Sequence, residues 1–268
     1  HTLKALTRYL GQKLIGLPCD DEGMLPDALR AACRGRGIQA LYLMPSGTNP
    51  MNLVMGPARR AEIVAIARAH DLPIIENDAW GPLSPDRPPP LAALAPERVF
   101  HVTSLTKCLM PGLRLGWLVV PEAQVTAAFG RHLATNWMAT ALLAEIGSRW
   151  IGDGTATRLL GLQRDALARR NRLAVQVLAG LPLRSRPNGL HVWLPLPPAW
   201  DEPGFVNSAR LRGVAVAPGS AFHMGDDPAP DPGVRICLGG PTESDLEGAL
   251  ITLARLARNL PEPGFLAI

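Results

Sequence analysis

Apolar residues recur along this chain in two rhythms, and the change between them outlines the fold. Leu3, Leu6 and Leu10 have helical spacing with no cap before them, so the chain reads as entering an existing helix. MLPDALRAACR (24–34) predicts a short amphipathic helix. GPARRAEIVAIARAH (56–70) predicts another, with Pro57 near its first turn. Between and after these lie short apolar runs of strand type: IQALYLMPS (38–46), LPIIEND (72–78), VFHVTS (99–104) and LGWLVV (115–120). Strands that alternate with helices or long crossings argue for a largely parallel sheet covered on both faces. LGWLVV follows its predecessor after a short connection, which predicts an antiparallel pair.

From about 122 to Arg149 the pattern is helical, and a long helix is expected from Thr155 to about Leu178. The chain then changes character. LPLRS (181–185), LHVWLPLP (190–197), GVAVAPG (213–219) and VRICLGG (234–240) read as strands, with FVNSARLRG (205–213) as a helix. TESDLEGALITLARLARNL (242–260) reads as a final helix with a capping-box-like Thr242 and Asp245. Its apolar face is Leu246, Ala249, Leu250, Leu253, Leu256 and Leu260. Residues 1–154 are expected to form a large domain and 155–268 a small α+β domain, with the long helix as the joint. The proline-rich stretches SPDRPPPLAALAPE (84–97) and DDPAPDPG (226–233) are expected on surface loops.

The 268 residues, 47% of them hydrophobic, suffice for a large core. No apolar run approaches the roughly 20 residues that cross a membrane. Four scattered cysteines match no metal spacing and read as reduced thiols of a cytoplasmic protein. The net charge of +4 rests almost wholly on scattered arginines, which excludes a clustered nucleic-acid stripe in this segment. Lysine is scarce: Lys4, Lys13 and Lys107. Arginine cannot give up its proton in a protein, whereas lysine can, so a position that needs a nucleophilic amine must stay lysine.

The chemistry gathers in VFHVTSLTKCLMPGLRLGWLVVP (99–121). An apolar strand ends at Ser104, Lys107 follows three residues later, and Arg114 lies seven beyond that in a Gly-containing turn. Ligands of open α/β sheets bind at the carboxyl ends of strands. A hydroxyl and a guanidinium there suit a phosphate, and an amine suits an aldehyde.

This stretch resembles the S-x-x-K and following arginine of fold-type I pyridoxal-phosphate enzymes. It is most similar to the aminotransferase-like domain of MocR-type regulators in the GntR family. The resemblance runs over essentially all 268 residues. It implies an aspartate aminotransferase-like fold, a mostly parallel large domain plus an α+β small domain, and pyridoxal 5'-phosphate as cofactor. Lys107 then forms the Schiff base, with Ser104 and Arg114 on the phosphate. In MPSGTNPMN (44–52), Asn49 falls where the family's asparagine donates to the cofactor's phenolic oxygen. In VRICLGG, Arg235 falls where the family's arginine grips a substrate carboxylate.

PIIENDAWGPL (73–83) departs from the pattern. The family commonly carries an aspartate three residues before a tyrosine; the aspartate keeps the pyridine nitrogen protonated. With Trp80 at the tyrosine position, the aspartate position is Asn77; with the register slipped by one, it is Asp78. Alternation along a strand means that both do not meet the ring. An amide there weakens the ring as an electron sink and puts efficient transamination in doubt.

The resemblance further implies a homodimer that binds an amino acid or amine, with no metal. The family's phosphate-cradling turn is expected before His1, as is, in regulators, a winged-helix domain through which alone DNA is bound. The expected function is the effector-sensing part of a MocR-type transcriptional regulator. A free-standing class I/II aminotransferase is the alternative.

Overall fold

In a computed structural model, residues 2–35, 37–224 and 232–261 are described. In chain order the elements are helix α1 (Thr2–Tyr9), the two-residue strands β1 (Cys19–Asp20) and β2 (Gly23–Met24), and α2 (Pro26–Gly35). Next come β3 (Leu41–Leu43), α3 (Pro57–Ala69), β4 (Ile74–Asn77), α4 (Leu91–Leu94) and β5 (Val99–Ser104). Then follow α5 (Leu105–Cys108), β6 (Gly116–Val119), α6 (Val125–Asn136), α7 (Ala141–Gly152) and α8 (Thr155–Val177). The chain continues through β7 (His191–Pro195), α9 (Glu202–Leu211), β8 (Ala217–Pro218), β9 (Gly233–Cys237) and α10 (Glu243–Arg258).

Two compact units result. One comprises residues 17–48 and 53–165; the other comprises 1–16, 49–52 and 166–268, so the division falls within α8.

The first unit, the parallel-sheet unit, is built on a sheet in the order β3-β4-β5-β6. β3, β4 and β5 run parallel, and β6 returns antiparallel to β5, as the short connection predicts. Leu41, Leu43 and Ile74 from the strands meet Ile63, Val64, Ile66 and Ala67 from α3 in a buried cluster. Apolar strands form here because α3 covers them; period-2 side chains are buried where a helix lies on them. The stretch from 122 to 149 is helical as expected and divides into α6 and α7. Trp137 breaks it with a positive φ of 63° at the end of α6, and α7 starts only at Ala141.

The carboxyl-terminal unit packs α9 and α10 on an antiparallel sheet in the order β7-β9-β8. Val192, Leu194, Val234 and Ile236 face Phe205, Leu246, Leu250 and Leu253 in its core. The Trp193 indole lies where a side chain on Gly233 would sit, so the central strand starts on a glycine. Thr242 caps α10 by accepting from the Asp245 backbone N–H, and its hydroxyl donates to the Asp245 carboxylate at 2.6 Å. α9 begins earlier than its apolar pattern suggests, because the Asp201 carboxylate accepts from Gly204 N–H and starts the helix at Glu202.

Three strand and face expectations are corrected. LPLRS contributes a single bridge, Arg184 to Trp193. GVAVAPG pairs only through Ala217 and Pro218. Leu260 is exposed, because α10 ends at the Asn259 cap before reaching it. The proline-rich expectation at 226–231 lies outside the described residues. No described helix is long and apolar enough to cross a membrane.

Candidate functional site

The carboxyl ends of β4 and β5 carry most of the candidate residues. β5 ends at Ser104, which opens the one-turn helix α5 without using its hydroxyl as a cap. Lys107 sits in α5 and is exposed, with no hydrogen-bond or ion-pair partner among the described residues. The chain then makes a tight 3-10 turn over Pro111–Leu113 and enters β6 through Arg114, whose φ of 44° is left-handed. Arg114 is also exposed and without a partner among the described residues. The ladder that follows sets Ser104 opposite Gly116, and Leu105 N–H donates to Leu115 O at 3.1 Å. A Cβ on Gly116 would approach the Thr103 carbonyl to 2.9 Å, so the two strands close tightly behind this turn. Strand end, one-turn helix and turn thus carry Ser104, Lys107 and Arg114 in succession along the β5–β6 connection. Next to Lys107, Cys108 is buried and donates to Ala79 O; burial pushes its thiol up to about 12, so it is no nucleophile.

Asn77 and Asp78 occupy opposite faces of the β4 end, as alternation requires. Asn77 shares its face with the half-exposed Ile75 and Tyr42; its amide donates to the Tyr42 hydroxyl at 2.7 Å, and its oxygen accepts from Ala79 N–H. Burial raises the Tyr42 phenol, and the Asn77 bond partly offsets this. The Asp78 carboxylate is fully buried and pairs with Arg87 through Oδ2, while Oδ1 has no hydrogen-bond partner. Gly81 makes room for the pair, since a side chain there would overlap both the carboxylate and the guanidinium. Trp80 begins the 3-10 turn Gly81–Leu83.

The same buried face holds residues the sequence reading passed over. Glu76 and His101 face each other in register, and Arg60 lies beyond them. Charged residues inside apolar strand runs, as in PIIEND and VFHVTS, were the available signal.

Asn49 and Arg235 come together in the carboxyl-terminal unit. Arg235 on the central strand β9 donates from Nη1 to the Asn49 side-chain oxygen at 2.9 Å. Its guanidinium lies 4.8 Å from the Phe222 ring centroid, a cation–π distance, and its buried Nε has no partner. His191 lies beside them, 2% exposed, with Nε2 2.9 Å from Pro50 O. Burial, and then the Arg235 charge, pull its pKa down to about 4. A neutral imidazole therefore donates to Pro50, while Asn52 donates to the His191 carbonyl at 3.2 Å. Among the described residues no group of His, Cys, Asp and Glu could hold a metal ion.

A family model for class I and II aminotransferases matches residues 19–253. An uncharacterized HTH-type transcriptional regulator of Bacillus subtilis (strain 168), YdeF, is 30% identical over 259 residues, covering 96% of this chain and 56% of the relative. A second from the same organism, YisV, is 31% identical over 258 residues, covering 93% and 52%. The chain therefore spans about half the length of these curated relatives. The crystal structure of an archaeal alanine:glyoxylate aminotransferase superposes with a TM-score of 0.83 at 26% identity, over 93% of this chain and 64% of that one.

Proposed function

From the premise that the chain belongs to the class I and II aminotransferase family, whose members typically bind pyridoxal phosphate, we propose that it is the pyridoxal-phosphate-binding, effector-sensing part of a MocR/GntR-type transcriptional regulator. The observation that carries the cofactor reading is the Ser104, Lys107 and Arg114 group, where an amine and a guanidinium stand exposed and unpartnered at a strand end. This donor set fits the group: Lys107 takes the aldehyde, and Ser104 and Arg114 take the phosphate. Bound there, the cofactor supplies an electron-withdrawing ring. Asn49 is assigned to the phenolic oxygen, and Trp80 to packing against the cofactor. Arg235 is assigned to the carboxylate of an amino ligand, for which a fork of N–H donors is suited. Its orphaned Nε supports this. Of the two residues at the β4 end, Asn77 is assigned to the ring nitrogen, because Asp78 is committed to Arg87 on the buried face. The regulator reading is supported by the HTH-type relatives and by the half of their length that this chain spans. A homodimer, with DNA bound through a separate winged-helix domain, completes it.

Full-length protein incubated with pyridoxal phosphate should absorb in the visible, and borohydride should fix the label on Lys107. A label confined to Lys4 or Lys13 refutes the assignment. An amide cannot hold a proton on the ring nitrogen as a carboxylate does, so conversion of the cofactor to its amine form should be slow and should quicken in Asn77→Asp. The alternative, a free-standing aminotransferase, is supported by the likeness to the archaeal enzyme. Brisk wild-type turnover together with no binding of the full-length chain to its own promoter DNA would establish it instead.

A further inference from the structure

Arg60 is wholly buried, and its guanidinium makes four hydrogen bonds. Nε donates to Met55 O at 2.9 Å and Nη1 to Pro89 O at 2.9 Å; Nη2 donates to Pro45 O and Ser46 Oγ, both at 3.0 Å. Glu76 stands 3.9 Å away, also without exposure. Its oxygens accept from the first two N–H groups of α4, Leu91 at 2.8 Å and Ala92 at 3.0 Å. His101 Nδ1 lies 2.9 Å from Glu76 Oε2; a carboxylate can only accept, so this nitrogen carries the proton. On its other side, His101 Nε2 is 3.9 Å from Asp78 Oδ2, which Arg87 holds. Arg60, Glu76 and Asp78, wholly buried, and the partly buried His101 and Arg87 thus form a chain of charged and polar side chains under the carboxyl ends of β4 and β5.

Stability alone does not call for such an arrangement. Buried ion pairs are often replaceable by apolar residues at no loss, and their best-attested use is to fix register. Burial pushes the Glu76 carboxyl up, but the bonds from His101, Leu91 and Ala92 outweigh this and leave it below the usual range, so the charge is kept. What the arrangement registers is specific. Glu76 immediately precedes Asn77, and Asn77 projects to the opposite face of β4. His101 lies three residues before Ser104 on β5, which runs directly into the Lys107 turn.

We propose that Glu76 and His101 are positioning residues: paired across the two strands, they hold Asn77 and the Lys107 turn in a fixed mutual register for the cofactor ring. This rests on the cofactor reading above. The pair never touches the cofactor; it acts through the backbone of two strand ends, because in a strand the face of one residue dictates that of the next. Arg60 lies 3.9 Å from Glu76 and Arg87 pairs with Asp78, so each buried carboxylate has a cation beside it.

The test is a double-variant cycle on full-length protein loaded with pyridoxal phosphate. The readout is the pH midpoint of the visible band, with thermal melting followed in parallel. Asn77→Asp should move the midpoint in the wild-type background. In the Glu76→Gln background that movement should shrink by about half or more, since coupled residues are non-additive. His101→Gln, a milder change, should give the same sign of coupling and serves if Glu76→Gln does not fold. Additive midpoints, or variants that lower only the melting temperature, overturn the proposal and leave the cofactor reading standing. No visible band and no borohydride label on Lys107 in the wild type would overturn both.

Discussion

Acid should destabilise the carboxyl-terminal unit through His191, by an amount the structure allows to be worked out. The imidazole is 2% exposed and lies near the Arg235 cation, and its pKa falls from 6.5 to about 4. An unfolded chain binds a proton on this residue below pH 6.5, while the folded one refuses it until about pH 4. Between those values the unfolded state carries more protons, so stability falls as pH falls, by about 1.4 kcal/mol per pH unit. At pH 5 the loss is about 2 kcal/mol, and below pH 4 it levels off near about 3 kcal/mol. Above pH 6.5 the contribution is fully present. The variant that isolates the effect is His191→Gln, which keeps an N–H to offer Pro50 O but cannot titrate. Urea unfolding followed by the fluorescence of Trp193 and Trp200, both in this unit, should be compared at pH 7.5 and 5.0. Wild type should lose about 2 kcal/mol more than the variant over that interval. Equal losses would mean that His191 takes its proton within the folded unit, and the burial argument would be wrong.

Three further outcomes are expected. Arg87→Ala strands the buried Asp78 carboxylate and should cost about 3 kcal/mol in urea unfolding, with part recovered when Asp78→Asn is added; a loss within error of zero would mean the pair is idle. Thr242→Ala removes the α10 cap and should lower stability by about 1 kcal/mol, read from thermal melting. Arg235→Ala should weaken binding of an amino-acid ligand about thirtyfold or more by titration while leaving the visible band of the bound cofactor in place; equal loss of both would assign Arg235 a structural role.

Much of the fold could be read from periodicity because the deciding contacts are local or repeat along an element. The β5–β6 pair is antiparallel because eleven residues, 105–115, cannot carry a covered crossover, and the α10 start is written in Thr242 and Asp245. Where the reading failed, the deciding partner was remote or missing. LPLRS and GVAVAPG have strand composition, but only Arg184, Ala217 and Pro218 find neighbours to pair with. Nothing in the residues around Trp137 announces its positive φ. The cluster of Asn49, His191 and Arg235 joins positions more than 140 residues apart from Asn49, so no spacing rule could bring His191 into it.

The residue pair at the β4 end shows how a local ambiguity becomes a physical choice. Asn77 and Asp78 differ by an amide NH2 in place of a carboxylate oxygen, and either could be brought to a ring nitrogen by sliding the strand one residue. Such a slip would also move Glu76 to the open face and Ile75 to the buried one. Glu76 would then surrender two α4 N–H groups, His101 and Arg60, and Arg87 would lose its carboxylate partner. Each abandoned buried donor carries a desolvation penalty of about 1–3 kcal/mol, so the slip is opposed several times over. The register that follows offers the open face an amide already turned toward the Tyr42 hydroxyl, in place of a carboxylate. An amide leaves a pyridine nitrogen neutral, and a neutral ring holds an amino ligand without pulling strongly on its α-carbon. If the proposed sensor reading holds, an intact ligand is what it requires, and the buried charges on the far side of β4, as much as Asn77 itself, keep the strand from presenting anything else on that face.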